Sequence, residues 1–304
     1  MATESSAADA SAELDFLFDL NGFVKLRQAL PASEVASLND ALTAFPPTEP
    51  GEWHGRVHNQ SHDAQRGVNW QNITEGGTPF EALIDHPSWI GHVGRWIGSR
   101  GSLYIDEAFA NIRGPGGAIN VHGGAVSADG VLNYNGLYHC ENGVFSCGQV
   151  NVLIALTDIG PGDGATCLVP CSHKSNRAHP DQTGPGRRDK MGLAMDGMDG
   201  AVEVHMEAGD AAVFVDSLAH GSVRRTNPDG ERRIIVYRYS PSMRRSRFGY
   251  RPSPELLARL TPERAAIVSR GAPPENLPPG AALDALSVEE LRAILQRKEQ
   301  AARL

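Results

Sequence analysis

EVHMEAGDAAVFVDSLAHGSVRRTNPDGERRIIVYRYS, residues 203–240, contains two apolar runs, AAVFV and IIVY, set apart by turn-forming residues. Each run is too short for a helix of ordinary length and is rich in β-branched and aromatic residues, so each reads as a strand. The Asn227-Pro228-Asp229-Gly230 cluster supplies the turn before the second strand. On that second strand, alternation puts Arg232, Ile234, Val236 and Arg238 on one face and Arg233, Ile235, Tyr237 and Tyr239 on the other. Just beyond the first strand stand His220, Gly221 and Ser222.

Upstream the same texture begins near residue 102: SLYIDEAFANI, VLNYNGLYHCENGVFS, GQVNVLIALTDI and ATCLVP are short strand-like runs with glycine-rich joins. Asn142-Gly143 marks a hairpin, because that pair readily takes the positive φ values of two-residue turns. In the run after it, Val150, Val152, Ile154 and Leu156 face one way, while Gln149, Asn151 and Leu153 face a partly polar cavity. Many short strands of this kind predict a mainly β fold with flanking helices, a barrel or jelly roll rather than a parallel sheet alternating with helices.

The helices precede the strands. LDFLFDL leads to a turn at Asn21-Gly22 and a strand at Phe23–Leu26, and Val35, Leu38 and Leu42 recur at helical spacing in a helix opened by Pro31 or Ser33. A second helical stretch, 79–98, is broken at Pro87. Residues 1–12 read as a flexible tail, 13–250 as a single domain with an insertion at 174–200 acting as a lid or substrate loop, and 251–304 as a helical extension ending in an amphipathic helix begun by Ser287. Whether that helix docks on its own domain or pairs subunits is open.

With 304 residues the chain is long enough to bury a sizeable core. A net charge of −8 and the lack of a long basic run argue against a nucleic-acid partner, since phosphate binding needs clustered cations. No secretory leader and no run of eighteen apolar residues is seen, so a cytoplasmic protein without a membrane partner is expected. Cys140, Cys147, Cys167 and Cys171 form no CxxC unit, which signals neither a zinc cluster nor a disulfide scaffold. GPGDGAT at 160–166 and RGPGG at 113–117 lack the residues and setting of nucleotide-binding loops and read as turns.

Three segments in order resemble one known family. DLNGFVKLRQALPASEVASLNDAL, QVNVLIALTDIGPGDGATCLVPCSHKSN and EAGDAAVFVDSLAHGSVRRTNPDGERRIIVYRYSP are similar to the signatures of the phytanoyl-CoA dioxygenase family, over roughly residues 14–250. The resemblance implies a double-stranded β-helix (jelly roll, cupin-like) that uses iron(II), 2-oxoglutarate and O2 to hydroxylate a small organic substrate, releasing succinate and CO2. Iron(II) of this type is served by two imidazoles and a carboxylate, with positions left open for co-substrate and oxygen.

The family pattern makes His220 an iron ligand. Two places compete for the other histidine. His139-Cys140-Glu141 is a literal His-x-Glu, with Glu141 as the carboxylate, whereas His122 lies in VHGG, similar to the "LHGG" of some family members but with Gly124 at the carboxylate position. Glu141 or Asp129 would then have to come from another segment, or the open iron position would admit halide, as in related halogenases. A catalytically silent barrel is the third reading.

A guanidinium is the preferred partner for the distal carboxylate of 2-oxoglutarate. The family pattern points to Arg232, with Arg233 as the alternative and Gln149, Asn151 and Ser222 as neighbours able to hydrogen-bond the co-substrate. His173, in SHK, reads as a loop-fixing residue. Arg187, Arg188 and Lys190 read as solvated charges.

Overall fold

The computed structural model describes residues 7–60, 67–98, 103–126, 137–184, 194–242 and 252–269. Helix α1 (Ala7–Asn21) begins inside the stretch read as a tail and ends at the turn leading into β1 (Phe23–Leu26). Helix α2 (Ala32–Thr43) is capped at Pro31 and buries Val35, Leu38 and Leu42. The stretch around Pro87 divides as the sequence predicts, into α3 (Thr78–Glu81) and α4 (Ile90–Ile97). Three strands lie between α2 and α3 where the sequence reading placed none: β2 (Trp53–His54), β3 (Val57–Asn59) and β4 (Val68–Gln71).

The remaining strands are β5 (Leu103–Arg113), the hairpin β6 (Cys140–Glu141) and β7 (Val144–Phe145), β8 (Val150–Ala155), β9 (Thr166–Leu168), β10 (Val202–Val204), β11 (Ala211–Val215), β12 (His220–Ser222) and β13 (Arg232–Pro241). Asn142 and Gly143 turn the hairpin with φ of 52° and 77°, as their sequence predicts. Eight strands form one sheet in the order β1-β11-β8-β13-β5-β4-β3-β2, and β10-β9-β12 form a smaller one.

The double-stranded β-helix is not borne out as a closed fold, because among the described residues no sheet closes into a barrel. The large sheet runs from a four-residue edge, β1, to a two-residue edge, β2, and six strands separate the two, with no hydrogen bonds between them. Closure requires the two edges to pair. What stands is a mainly β architecture with flanking helices.

The faces of β13 position the site. Tyr237 Oη donates to the carbonyl of Phe80, and Tyr239 Oη accepts from Trp89 Nε1, so odd-numbered residues face the helices. Even-numbered residues, Arg232, Ile234, Val236 and Arg238, line a cavity together with residues of β9 and β12 from the small sheet. Behind the helical layer, Phe18 stacks on Trp96 with ring centroids 3.9 Å apart and planes within 3°. Two further short helices, Pro254–Arg259 and Pro262–Val268, follow; the amphipathic segment begun by Ser287 lies outside the described residues, as do Asp129, Arg187, Arg188 and Lys190.

Candidate functional site

His220 opens β12, and the chain at His122 runs antiparallel beside it. Each histidine donates its backbone N–H to the other's carbonyl, at 2.7 and 2.8 Å. The approach depends on missing side chains. A Cβ on Gly221 would lie 2.7 and 2.8 Å from the carbonyl oxygens of Ile119 and Asn120, and one on Gly123, whose φ is +75°, would lie 2.6 Å from that of Leu218. These glycines let the two segments touch, bringing the imidazoles to 4.1 Å between centroids.

The ring nitrogens are sorted by their partners. His122 Nδ1 lies 2.8 Å from the carbonyl of Asn120, and His220 Nδ1 lies 2.6 Å from that of Leu218. A carbonyl only accepts, so each Nδ1 carries a proton, which makes Nε2 the nitrogen that would offer a lone pair from a neutral ring. Burial, with the neighbouring His122 adding to it and Asp216 opposing it, holds His220 well below the ordinary imidazole pKa. Two imidazoles side by side, each oriented by a backbone carbonyl, suit a divalent metal.

A third protein ligand is not present among the described residues, where no group of three His, Cys, Asp or Glu side chains is placed to hold a metal. Gly124 occupies the expected carboxylate position. Asp216 is engaged by Asn151 Nδ2 at 3.1 Å. His139 and Glu141 are both exposed and lie 3.4 Å from one another at the β6–β7 hairpin, and His139 borders a different cavity from His220.

His122, His220, Ser222 and Arg232 all line one cavity of about 240 Å³, whose walls include Phe109, Leu153, Phe214 and Ile234. Ser222 Oγ accepts from Arg113 Nη1 at 2.9 Å and from the Ile119 N–H at 2.7 Å. Both lone pairs are used, so its own proton is left to donate to whatever the cavity holds.

Arg232 donates to the carbonyl of Gly164 and reaches Asn111 Oδ1 at 3.5 Å, while its buried Nε has no partner. Burial, then the charges of Arg113 and Arg225, lower its pKa well below that of a free arginine. Arg225 has Asp163 at 3.7 Å, but no carboxylate is paired with Arg232 among the described residues. A buried cluster of guanidinium groups is an anion site in waiting.

Arg233 points the other way, to Glu231 and to Asn39 and Thr43 on α2. Gln149 is buried against Asp106 and Ser240, away from that cavity's lining. His173 ties the end of α1 through Asp19, its Nε2 being 3.0 Å from that carbonyl. The sequence reading missed Arg113, which pairs with Arg232 across β5 and β13; two like charges facing each other is an unfavourable arrangement that only strand register reveals.

The family model of the phytanoyl-CoA dioxygenases (PhyH) matches residues 18–234. The dioxygenase cdmD of Talaromyces verruculosus is 36% identical over 88 residues, which are 29% of this chain and 25% of that protein, so the match spans about a quarter of the relative's length. Among solved structures, HygX from Streptomyces hygroscopicus with nickel and 2-oxoglutarate bound has a TM-score of 0.63 at 21% identity, covering 77% of this chain and 88% of HygX. The non-haem α-ketoglutarate-dependent epimerase SnoN from nogalamycin biosynthesis has a TM-score of 0.55 at 17% identity, covering 80% and 88%. These structural likenesses establish a shared fold.

Proposed function

Because this chain belongs to the phytanoyl-CoA dioxygenase family of the iron(II)/2-oxoglutarate oxygenase superfamily, we propose that it is a 2-oxoglutarate-dependent dioxygenase that hydroxylates a small organic substrate, with release of succinate and CO2. The observation that carries this reading is one cavity that joins the imidazoles of His122 and His220 to a buried arginine with no carboxylate partner among the described residues. HygX has been seen with nickel and 2-oxoglutarate, which supports the same pairing of metal and co-substrate here.

His122 and His220 would hold iron(II), which when bound supplies the activation of O2 coupled to oxidative decarboxylation of 2-oxoglutarate. Arg232 would take the distal carboxylate, and the Ser222 hydroxyl would donate to it. Arg113 orients that hydroxyl, and the apolar walls exclude water from the reacting centre. The test is iron-dependent O2 uptake matched by succinate formed from 2-oxoglutarate. Its loss in His220→Gln is the expected result, and turnover unaffected by that change would refute the assignment.

Gly124 favours a second reading, in which the position left by the carboxylate admits halide and the product is halogenated. A requirement for chloride, with a chlorinated product by mass spectrometry, distinguishes it from hydroxylation.

A further inference from the structure

Resting on that reading, a polar stretch of the same cavity lining specifies the substrate. Arg238 Nη1 lies 3.1 Å from Glu107 Oε2, and the two side chains are 14% and 8% exposed. A carboxylate only accepts, so the amide facing Glu107 must present its N–H2 group. Gln71 does so, its Nε2 lying 2.8 Å from Glu107 Oε1. The same Nε2 also donates to Gln60 Oε1 at 3.0 Å, and that oxygen receives Asn69 Nδ2 at 2.9 Å. One ion pair therefore sets the direction of every hydrogen bond in the chain.

What remains uncommitted follows by subtraction. Both protons on Gln71 Nε2 are used, leaving Gln71 Oε1 as an acceptor. Both lone pairs on Gln60 Oε1 are used, leaving Gln60 Nε2 as a donor. The two residues line the same cavity as the histidine pair, next to Phe109 and Val236. A neighbouring acceptor and donor match a hydroxyl, which donates to one and accepts from the other. A charged group has no counterpart here, because the Glu107 and Arg238 charges already neutralise each other.

We propose that Gln71 and Gln60 are specificity-determining residues for an uncharged, hydroxyl-bearing small molecule, whose carbon skeleton lies on the apolar wall. The phosphorylated carrier of an acyl thioester would find no counter-charge on this neutral wall. A site built to hydrogen-bond a hydroxyl discriminates strongly against compounds lacking it, since its own polar groups are otherwise left unpaired.

Ligand-observed NMR on the full chain with zinc(II) in place of iron and saturating 2-oxoglutarate tests this, using trans-1,2-cyclohexanediol, hexanoate, hexylamine and hexanoyl-CoA as probes. The diol is expected to bind in preference to the others, with its Kd raised about tenfold in both Gln71→Leu and Gln60→Leu and 2-oxoglutarate binding unchanged. No diol binding, diol binding indifferent to both substitutions, or stronger binding of a charged or thioester probe would overturn the proposal. Failure of the intact protein to bind 2-oxoglutarate would instead remove the oxygenase reading on which it rests.

Discussion

Arg232 and Arg233 differ by one position on β13, and that step sends one guanidinium into the cavity and the other to α2. Replacing Arg232 with Met should weaken 2-oxoglutarate binding about a hundredfold, a loss of ~2–3 kcal/mol typical of a charge-assisted pair. Arg233→Met should leave that affinity within about twofold and lower unfolding stability by ~1 kcal/mol instead. Anaerobic titration calorimetry and urea denaturation separate the two outcomes. Alternation along the strand showed that the two arginines face opposite ways, while the preference for Arg232 came from the family pattern. The choice between His122 and His139 was not legible, since it depends on which remote segment lies beside His220, and period-two patterning carries no information about that.

The bridge between the 119–122 segment and β12 depends on Gly221 having no side chain. In Gly221→Ala the new Cβ meets two backbone carbonyls, which cannot rotate away as a side chain can. Loss of metal affinity by at least about tenfold is therefore expected, with the far-ultraviolet circular dichroism little changed. An unchanged affinity would mean that the segments approach differently. At the helical layer, Phe18→Ala removes the ring stacked on Trp96 and should cost ~3–5 kcal/mol in urea denaturation. Helix α2, the break at Pro87, the Asn142-Gly143 hairpin and the longer strands β5, β8, β11 and β13 were readable from periodicity and turn chemistry, whereas β12 was read only as the residues following a strand. Strands β2 to β4 were not readable: they are two to four residues long, and lengths so short give no period to detect.

Across the whole molecule, the mainly β texture could be read from sequence, but neither the number of strands nor the pairing of the outermost edges could. The expectation of a closed double-stranded β-helix failed on that point, while the mainly β class with flanking helices held. Acid sensitivity also arises from packing between distant parts of the chain. Burial of His173 against the end of α1 brings its pKa down to about 4, from an ordinary 6.5. In that interval the unfolded chain binds the proton more readily than the folded one, so stability is full above about 6.5 and falls as the pH drops toward 4. The loss is of order 3 kcal/mol. His173→Gln should flatten this part of the stability profile, measured by urea denaturation at pH 7.5 and pH 4.5, whereas an identical slope in the variant would assign the acid sensitivity to other groups.

The claim on which the rest depends is that His122 and His220, rather than His139, hold iron(II) beside a 2-oxoglutarate site. Visible absorption during anaerobic addition of iron(II) and 2-oxoglutarate reports it, in the intact protein and in His122→Ala, His220→Ala and His139→Ala. The account predicts a metal-to-ligand charge-transfer band in the intact protein and in His139→Ala, and none in the other two. A band that survives His122→Ala and disappears in His139→Ala, or no band at all in folded intact protein, would contradict it.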